Sequence, residues 1–196
     1  GTDTVPNDAG LLIGGGTKYN IIGGTTAAER NVFSGNRFGG IEIADQGTSF
    51  NTIKGNFVGT DVTGLLSRPN LYGISIISEC SQNTIDSNVI SGNAHYGLLF
   101  FENADSNVVT RNYIGPGADS ITAIGNGTAG VVLWNGSSYN QIGGVGLGNV
   151  IAYHDLCGIA IKDNNTLYNT LSENSIYENA LMGIDIFPEG PNTNDA

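Results

Sequence analysis

One short motif recurs along the whole chain: a glycine, an apolar residue, any residue, and a second apolar residue. Internal repetition is the sequence sign of a stacked repeat architecture, so this motif restricts the fold more than any other feature. Its copies are GLLI at 10–13, GIEI at 40–43, GISI at 73–76, GLLF at 97–100, GVVL at 130–133, GIAI at 158–161 and GIDI at 183–186.

Two asparagines follow each of the first six glycine motifs at regular distances. Each asparagine is followed two residues later by an apolar residue. We therefore infer three short strands per repeat, two of which begin just after an asparagine. The first set is Asn20, Asn51, Asn83, Asn107, Asn140 and Asn169, and the second set is Asn31, Asn56, Asn88, Asn112, Asn149 and Asn174.

The longer repeats carry insertions at only two points, which indicates a common backbone path between them. Three short strands per repeat, each stacked about 4.8 Å from its equivalent in the next repeat, are typical of a parallel β-helix. The outward residues of the third strand are apolar, so the insertions that flank it are expected to fold over that sheet. The insertions are 23–30 and 143–148 before the third strand, and 59–72 and 115–129 after it.

The asparagines have a structural explanation in such a stack. An Asn at the same turn of successive rungs passes amide hydrogen bonds along the stack, and it tolerates left-handed backbone. We expect Asn83 to bond to Asn107, and Asn88 to Asn112. Glycine is predicted to serve the third corner because it too adopts left-handed backbone.

The strand register also predicts the core. The apolar residue two positions after each asparagine points into the stack, because side chains alternate along a strand. Ile85 and Ile90 are therefore expected to be fully buried. His95 and His154 fall outside these columns and are interpreted as solvent-facing turn residues.

The composition restricts the partners of this chain. Seven Lys and Arg stand against 18 Asp and Glu, which gives a net charge of −11. This balance argues against nucleic acid, whose phosphates need a basic face, and it fits an extracellular or cell-surface location. No apolar run reaches the roughly 18 residues of a membrane span. Cys80 and Cys157 do not have a metal or redox spacing.

Several segments carry a resemblance to a known superfamily. NVISGN at 88–93, NIIGG at 20–24, the GI-x-I motifs and VGTDVTG at 58–64 resemble the Asn- and Gly-rich repeats of bacterial secreted or surface proteins of the pectin-lyase-like superfamily. The resemblance covers residues 1–187. It implies an all-β fold, a right-handed parallel β-helix (solenoid) of about six to seven rungs with three short strands each.

We predict one β-helix domain over residues 1–196, with a turn-rich C-terminal tail at 188–196. GTD at 1–3 matches GTD at 59–61, so the chain is expected to be a fragment of a longer protein. No helical cap is evident in the sequence. Open strand edges would favour end-to-end or lateral self-association.

The resemblance leaves the activity open, because that superfamily includes lyases, hydrolases, epimerases, adhesins and scaffolds. Its enzymes carry clustered acids with a Lys or Arg beside the glycine strands, and this chain departs from that pattern. Glu102 and Asp163 are the weak catalytic candidates. We expect them two rungs, about 9.6 Å, apart, which is near the separation in inverting glycosidases. The alternative interpretation is solvated turn charge.

An apolar row is the candidate binding surface. Ile77, Phe101 and Trp134 follow the glycine strands of consecutive repeats and are predicted to point outward, flanked by Leu99 and Val132. Exposed apolar patches commonly mark contact surfaces, and aromatic rows stack against sugar rings or another chain. The alternative is that a neighbouring segment covers the row, or that its members pack laterally.

Aspartates of the long loops are weak candidates for a cation site. The loops place Asp3, Asp61 and Asp119 along one edge, where carboxylate and carbonyl oxygens would suit calcium. Their spacing matches no known calcium loop. No other cofactor is expected.

Two functions follow from these observations. The first is a non-enzymatic extracellular β-helix: a scaffold, adhesion or glycan-binding segment of a larger surface protein, with a polysaccharide or another protein chain as partner. The second is a carbohydrate-active enzyme, either a polysaccharide lyase, a glycoside hydrolase or an epimerase, acting along the glycine-strand face.

Overall fold

The structure is a computed structural model that describes residues 5–187. It contains nineteen strands and one short 3-10 helix at Ala27–Glu29. All pairings between these strands are parallel, and every strand pairs with its equivalent in the next repeat. The predicted parallel β-helix is confirmed, because only a coiled chain lets every third strand become a neighbour in the same sheet.

Three sheets run the length of the stack. Sheet 1 contains β1 (Leu11–Ile13), β4 (Gly39–Ile43), β7 (Tyr72–Ile77), β10 (Leu98–Phe101), β13 (Ala129–Leu133), β16 (Cys157–Lys162) and β19 (Met182–Phe187). Sheet 2 contains β2 (Ile21–Gly23), β5 (Thr52–Lys54), β8 (Thr84–Asp86), β11 (Val108–Thr110), β14 (Gln141–Gly143) and β17 (Thr170–Ser172). Sheet 3 contains β3 (Val32–Phe33), β6 (Phe57–Val58), β9 (Val89–Ile90), β12 (Tyr113–Ile114), β15 (Val150–Ala152) and β18 (Ser175–Tyr177).

The core is the column of apolar side chains enclosed by the three sheets. Ile85 and Ile90 have no solvent exposure, as the register predicts. The inward positions of the glycine strands join them, for example Ile74 and Phe100. The seven strands in sheet 1 and the six in each of the others match the predicted six to seven rungs.

The two predicted asparagine ladders are present and buried. Asn83 Nδ2 donates to Asn107 Oδ1 at 3.2 Å, and Asn88 Nδ2 donates to Asn112 Oδ1 at 3.0 Å. Each acceptor oxygen also takes the backbone N–H of the preceding asparagine. Since an unpaired buried polar group costs about 1–3 kcal/mol, these shared bonds allow polar corners inside the stack.

A third ladder runs along the corner that precedes sheet 1, where glycine alone was expected. Asn70 Nδ2 donates to Asn93 Oδ1 at 3.0 Å, and Asn93 Nδ2 donates to Asn126 Oδ1 at 2.9 Å. A ladder of hydrogen-bonded polar side chains therefore runs along each of the three corners of the stack. The members of this third ladder are Asn36, Asn70, Asn93, Asn126, His154 and Asn179.

The reason given above for the motif glycines is wrong. None of the seven has left-handed backbone. They are glycines because the chain passes close to the next rung: a Cβ on Gly73 would lie 2.4 Å from the Gly97 carbonyl oxygen and 2.9 Å from Asn93 Nδ2. At six of the seven positions, all except Gly183, a Cβ would lie 2.6–3.0 Å from a side chain of the third ladder, which leaves no room for it.

The interpretation of His154 as a solvent-facing residue is also wrong. Its side chain is buried within the third ladder, whereas His95 is exposed as predicted. His154 Nδ1 accepts from the Asn126 N–H at 3.0 Å, and Nε2 contacts the Ile114 carbonyl oxygen at 3.1 Å. A histidine thus occupies an asparagine position, one ring nitrogen accepting and the other donating.

The insertions after the third strand fold over sheet 3, as predicted. The Ala118 N–H donates to the Gly64 carbonyl oxygen at 3.0 Å, so loops from two different rungs meet. Beneath them Phe57 and Val89 are buried, although both point away from the core. Val32, in the first strand of this sheet, stays exposed.

Candidate functional site

The outer face of sheet 1 carries a second apolar cluster outside the main core. Val132 and Ala160 point outward from neighbouring strands, yet both are buried. They are covered by side chains of the same face, so part of the predicted outward row packs laterally. The cluster comprises Ala129, Val132, Cys157 and Ala160, with Tyr96, Leu99, Leu156 and Met182 packed against it.

The structure brings the predicted binding residues together beside this cluster. Phe101 and Ile77 are register partners on adjacent strands, and both are half-buried. The rings of Phe101 and Trp134 meet edge to face with centroids 5.3 Å apart. Trp134 remains 39% exposed, which makes it the accessible end of the row.

A lysine that the sequence reasoning did not assign to the site completes this surface. Lys162 Nζ lies 5.1 Å from the Trp134 ring centroid and 5.6 Å from that of Tyr96. A cation at this distance from an aromatic face is attracted by its quadrupole. The contact fixes the indole ring from one side, while its exposed part faces solvent. The signal for Lys162 was its place four residues after Gly158, in the column of Phe101 and Trp134.

Asp185 lies on the same face and is almost fully buried. Burial raises the pKa of this carboxyl, and the charge of Lys162 partly opposes the rise. Asp185 is the register partner of Ala160, so it extends the outward row by one rung. An acid with a raised pKa is therefore present on this face.

The two catalytic candidates stabilise the turns that follow the sheet 1 strands, within and between rungs. Asp163 accepts hydrogen bonds from the Thr166 Oγ1 at 2.7 Å, from the Thr166 N–H at 3.1 Å and from the Asn135 N–H at 2.7 Å. Glu102 accepts from Ser78 Oγ at 2.9 Å. Glu102 and Asp163 occupy the same turn column, and both have left-handed backbone. These contacts give the carboxylates a structural role in the turn that ends each sheet 1 strand.

The loop aspartates likewise bind within their own loops. Asp61 accepts from Thr63 Oγ1 at 2.7 Å and Asp119 from Thr122 Oγ1 at 2.6 Å, and these bonds lower the pKa of both exposed carboxyls. Neither belongs to a metal-holding group within the described range 5–187, so the calcium expectation gains no support. Asp3 lies outside the described residues.

The comparisons with known proteins give one match. The model of the family described as "Periplasmic copper-binding protein (NosD)" matches residues 7–149. No curated protein and no solved structure matches the chain. The matched segment includes most of the rungs described above, so the family assignment and the right-handed parallel β-helix agree.

The described residues do not fit a resident copper ion. Over 5–187, no three His, Cys, Asp or Glu side chains come together as a metal-holding group. Burial raises the pKa of the Cys80 and Cys157 thiols to about 11, so neither is a thiolate at neutral pH. Both ring nitrogens of His154 are used in the third ladder. The copper in the family description is thus not explained by this part of the chain.

The family description also bears on location. The stretch from residue 5 to 187 has no helix with the length and apolarity that a membrane span requires. The family is periplasmic, which points to an extracellular or periplasmic β-helix protein. Because the match extends over well more than half of the 196 residues, the chain belongs to the family of periplasmic copper-binding proteins (NosD).

Proposed function

We propose that this chain is a non-enzymatic β-helix scaffold of a larger surface protein, and that it binds a polysaccharide on the outer face of sheet 1. The observation that carries the proposal is Trp134, which is exposed, braced by Phe101 and held from one side by Lys162. Aromatic side chains on a rigid face dominate many binding sites, because little ordering entropy is lost when the ligand docks.

A glycan suits this surface better than a broad protein interface does. The C–H face of a sugar ring stacks on an indole, and its hydroxyl groups need donors and acceptors around that ring. Here Asn135 follows Trp134 in the chain and is exposed, and Lys162 lies over the indole ring, so both donors and acceptors are present. Much of the remaining apolar surface is already covered by its own side chains, since Val132 and Ala160 are buried. A small aromatic platform with a polar border remains.

The contacts of the carboxylates favour binding over catalysis. Asp163 accepts two hydrogen bonds from Thr166 of its own turn and one from Asn135 of the preceding rung, and Glu102 accepts one from Ser78. A general acid or nucleophile needs an oxygen free for the substrate. A depolymerisation screen against plant and bacterial polysaccharides is therefore expected to show no chain cleavage. Cleavage that is lost in both Glu102→Gln and Asp163→Asn would overturn this part of the proposal.

Trp134 is the chain's only tryptophan, so its fluorescence reports directly on the site. We expect a polysaccharide ligand to change its emission in a saturable manner. Trp134→Ala should weaken binding by about 2 kcal/mol, which is roughly 30-fold, when measured by isothermal titration calorimetry. The melting temperature should change little, since Trp134 lies outside the main core.

Tyr139→Ala is the matched control, because Tyr139 is an exposed aromatic that stacks on Tyr168 in a different column. Binding should be unaffected in this variant. Equal losses of affinity in both variants would show that the effect is not specific to the Trp134 surface. A large drop in melting temperature for Trp134→Ala with unchanged binding would show that the row is covered structure.

A further inference from the structure

A cationic pocket lies on the opposite side of the stack, at the corner between sheets 2 and 3. It encloses about 330 Å³ and is lined by Arg30, Lys54 and Arg111, together with Thr25, Thr26 and Ser87. The chain has only seven Lys and Arg and a net charge of −11. Three of the seven cationic side chains therefore converge in one concavity, which distinguishes it from the rest of the acidic surface.

Two of the cations are held in place by a buried carboxylate. Lys54 Nζ lies 3.0 Å from Asp86 Oδ2, and Arg111 Nη2 lies 2.8 Å from Asp86 Oδ1. The Asp86 side chain is only 4% exposed, whereas Lys54 is 28% and Arg111 49% exposed. Asp86 is thus sealed beneath the two cations, which keep their outer faces toward the pocket.

The ionised state of Asp86 supports this arrangement. Burial by itself would raise the pKa of its carboxyl, but hydrogen bonds from Lys54, Arg111 and Thr110 outweigh burial and lower the pKa. Asp86 therefore stays charged and acts as a fixed anchor at neutral pH. Lys54, Asp86 and Thr110 are neighbours in sheet 2, so the strand register sets their spacing.

The third cation is positioned without a carboxylate. The Arg30 guanidinium carbon lies 4.0 Å from the Phe57 ring centroid, and its Nε donates to the Gly55 carbonyl oxygen at 3.3 Å. Among the ion pairs found over residues 5–187, none includes Arg30. Stacking and one backbone bond orient the group, and its terminal nitrogens remain for a ligand.

The local charge balance is positive. Asp86 neutralises one of the three cations, and Glu29 is nearby, with its Oε2 bound by the N–H groups of Thr25 and Thr26. One positive charge is left over even when both acids are counted. Like charges that converge in a concave site repel one another, and an anion between them would relieve that repulsion.

We propose that this pocket binds an oxyanion group, held between Arg30, Lys54 and Arg111. Arginine forks and a lysine suit carboxylate, sulfate and phosphate oxygens, and the hydroxyl groups of Thr25 and Ser87 add neutral donors. An oxyanion group of this kind can belong to either of two ligands: a free inorganic anion, or a sugar acid that carries it as its acidic group. This site is separate from the Trp134 surface, so either proposal stands or fails without the other.

The experiment titrates the whole chain with inorganic phosphate, sulfate and glucuronate, with glucose as the neutral comparison. We expect saturable binding of at least one anion by calorimetry, weakened by added sodium chloride. Similar affinities for all three anions would identify a free oxyanion as the source. Binding of glucuronate at least tenfold tighter than phosphate would identify a sugar acid.

Arg30→Gln is the test variant, because Arg30 supports no ion pair and its loss leaves Asp86 fully compensated. It should weaken anion binding at least tenfold while the melting temperature stays near that of the parent chain. Arg68→Gln is the matched control: it removes the same charge from an exposed arginine that does not line the pocket, and affinity should be unchanged.

Two results would overturn the proposal. The first is the lack of saturable binding for all three anions at low ionic strength. The second is an equal loss of affinity in Arg30→Gln and Arg68→Gln, since that would trace any binding to overall charge and not to this pocket. A change of Trp134 fluorescence does not enter the test, because the indole lies on another face.

Discussion

At the scale of single residues, His154 shows how the fold accommodates a side chain that differs from the asparagine of the other rungs. Asn126 of the third ladder accepts the Asn93 N–H at 3.0 Å and donates to the Ile90 carbonyl oxygen of an earlier rung at 3.1 Å. His154 reproduces this pattern through Nδ1 and Nε2, toward Asn126 and Ile114. It can do so only as the neutral ring, because Nδ1 must be free to accept.

Burial lowers the pKa of His154 to about 4, from an ordinary value near 6.5. Between these two values the unfolded chain binds a proton that the folded chain does not. The contribution of His154 to the free energy of unfolding is therefore complete above pH 6.5 and is lost as the pH falls toward 4.

His154→Asn should remove this pH dependence, since asparagine offers the same acceptor and donor without titrating. Urea unfolding at pH 7.5 and pH 4.5 measures it. Between the two pH values the free energy of unfolding should fall by about 2–3 kcal/mol more in the parent chain than in the variant. The contributions of the other titratable groups are the same in both proteins and cancel in the comparison. Equal losses in the two proteins would mean that His154 is already protonated, or exposed, in the folded state.

At the scale of the structural elements, the glycine strands and the third ladder pack together as one unit. The motif glycine lies against the ladder side chain and against the next rung's carbonyl, so the ladder and the tight stacking of sheet 1 depend on each other. Gly40 illustrates this, because a Cβ there would lie 2.5 Å from Val58 Cγ1, 2.8 Å from Asn70 Nδ2 and 2.8 Å from the Gly73 oxygen.

Gly40→Ala should therefore lower the free energy of unfolding by about 1–3 kcal/mol, the cost of overpacking a filled site. Gly39→Ala is the matched control on the same strand, because its nearest contact would be an ordinary 3.5 Å. That variant should be neutral or slightly stabilising. Chemical denaturation of both variants measures their free energies of unfolding. A similar loss of unfolding free energy in the two would refute the close-packing explanation of the motif.

At the scale of the whole molecule, the β-helix is close to a one-dimensional stack. The strands of each rung pair only with those of the rung before it and the rung after it, so most of the stability is shared between neighbours. Ile85 in a central rung is fully buried, whereas Ile184, an inward position of the last described rung, is 40% exposed. The same residue type at two inward positions thus differs in how much apolar surface it removes from water.

Ile85→Ala is expected to lower the free energy of unfolding by about 2–5 kcal/mol through lost burial and a residual cavity. Ile184→Ala should cost clearly less, because its side chain already meets solvent. Guanidinium unfolding of the two variants at one pH compares them directly. A larger loss for Ile184→Ala would mean that the end of the stack, and not its centre, holds the structure together.

Much of the architecture was readable from the sequence because each rung repeats the same local demands. The inward isoleucines, the two asparagine columns and the confinement of insertions to fixed points predicted three strands per rung, and the structure confirms them. The third ladder was equally visible, since Asn93, Asn126 and Asn179 each stand four residues before a motif glycine. It was overlooked because glycine at that corner had been given a conformational explanation.

The period, the strand positions and the core of this protein can be predicted from the sequence, because they follow from side-chain alternation and corner chemistry within one repeat. The residues that meet on the outer surface cannot, because they come from different rungs. Arg30, Lys54 and Arg111 belong to different rungs, and Lys162 reaches Trp134 across a rung, so these contacts depend on rotamers and loop lengths that no single repeat encodes. The burial of His154 likewise comes from the rungs on either side of it, whose partners turn an apparent turn residue into part of a ladder.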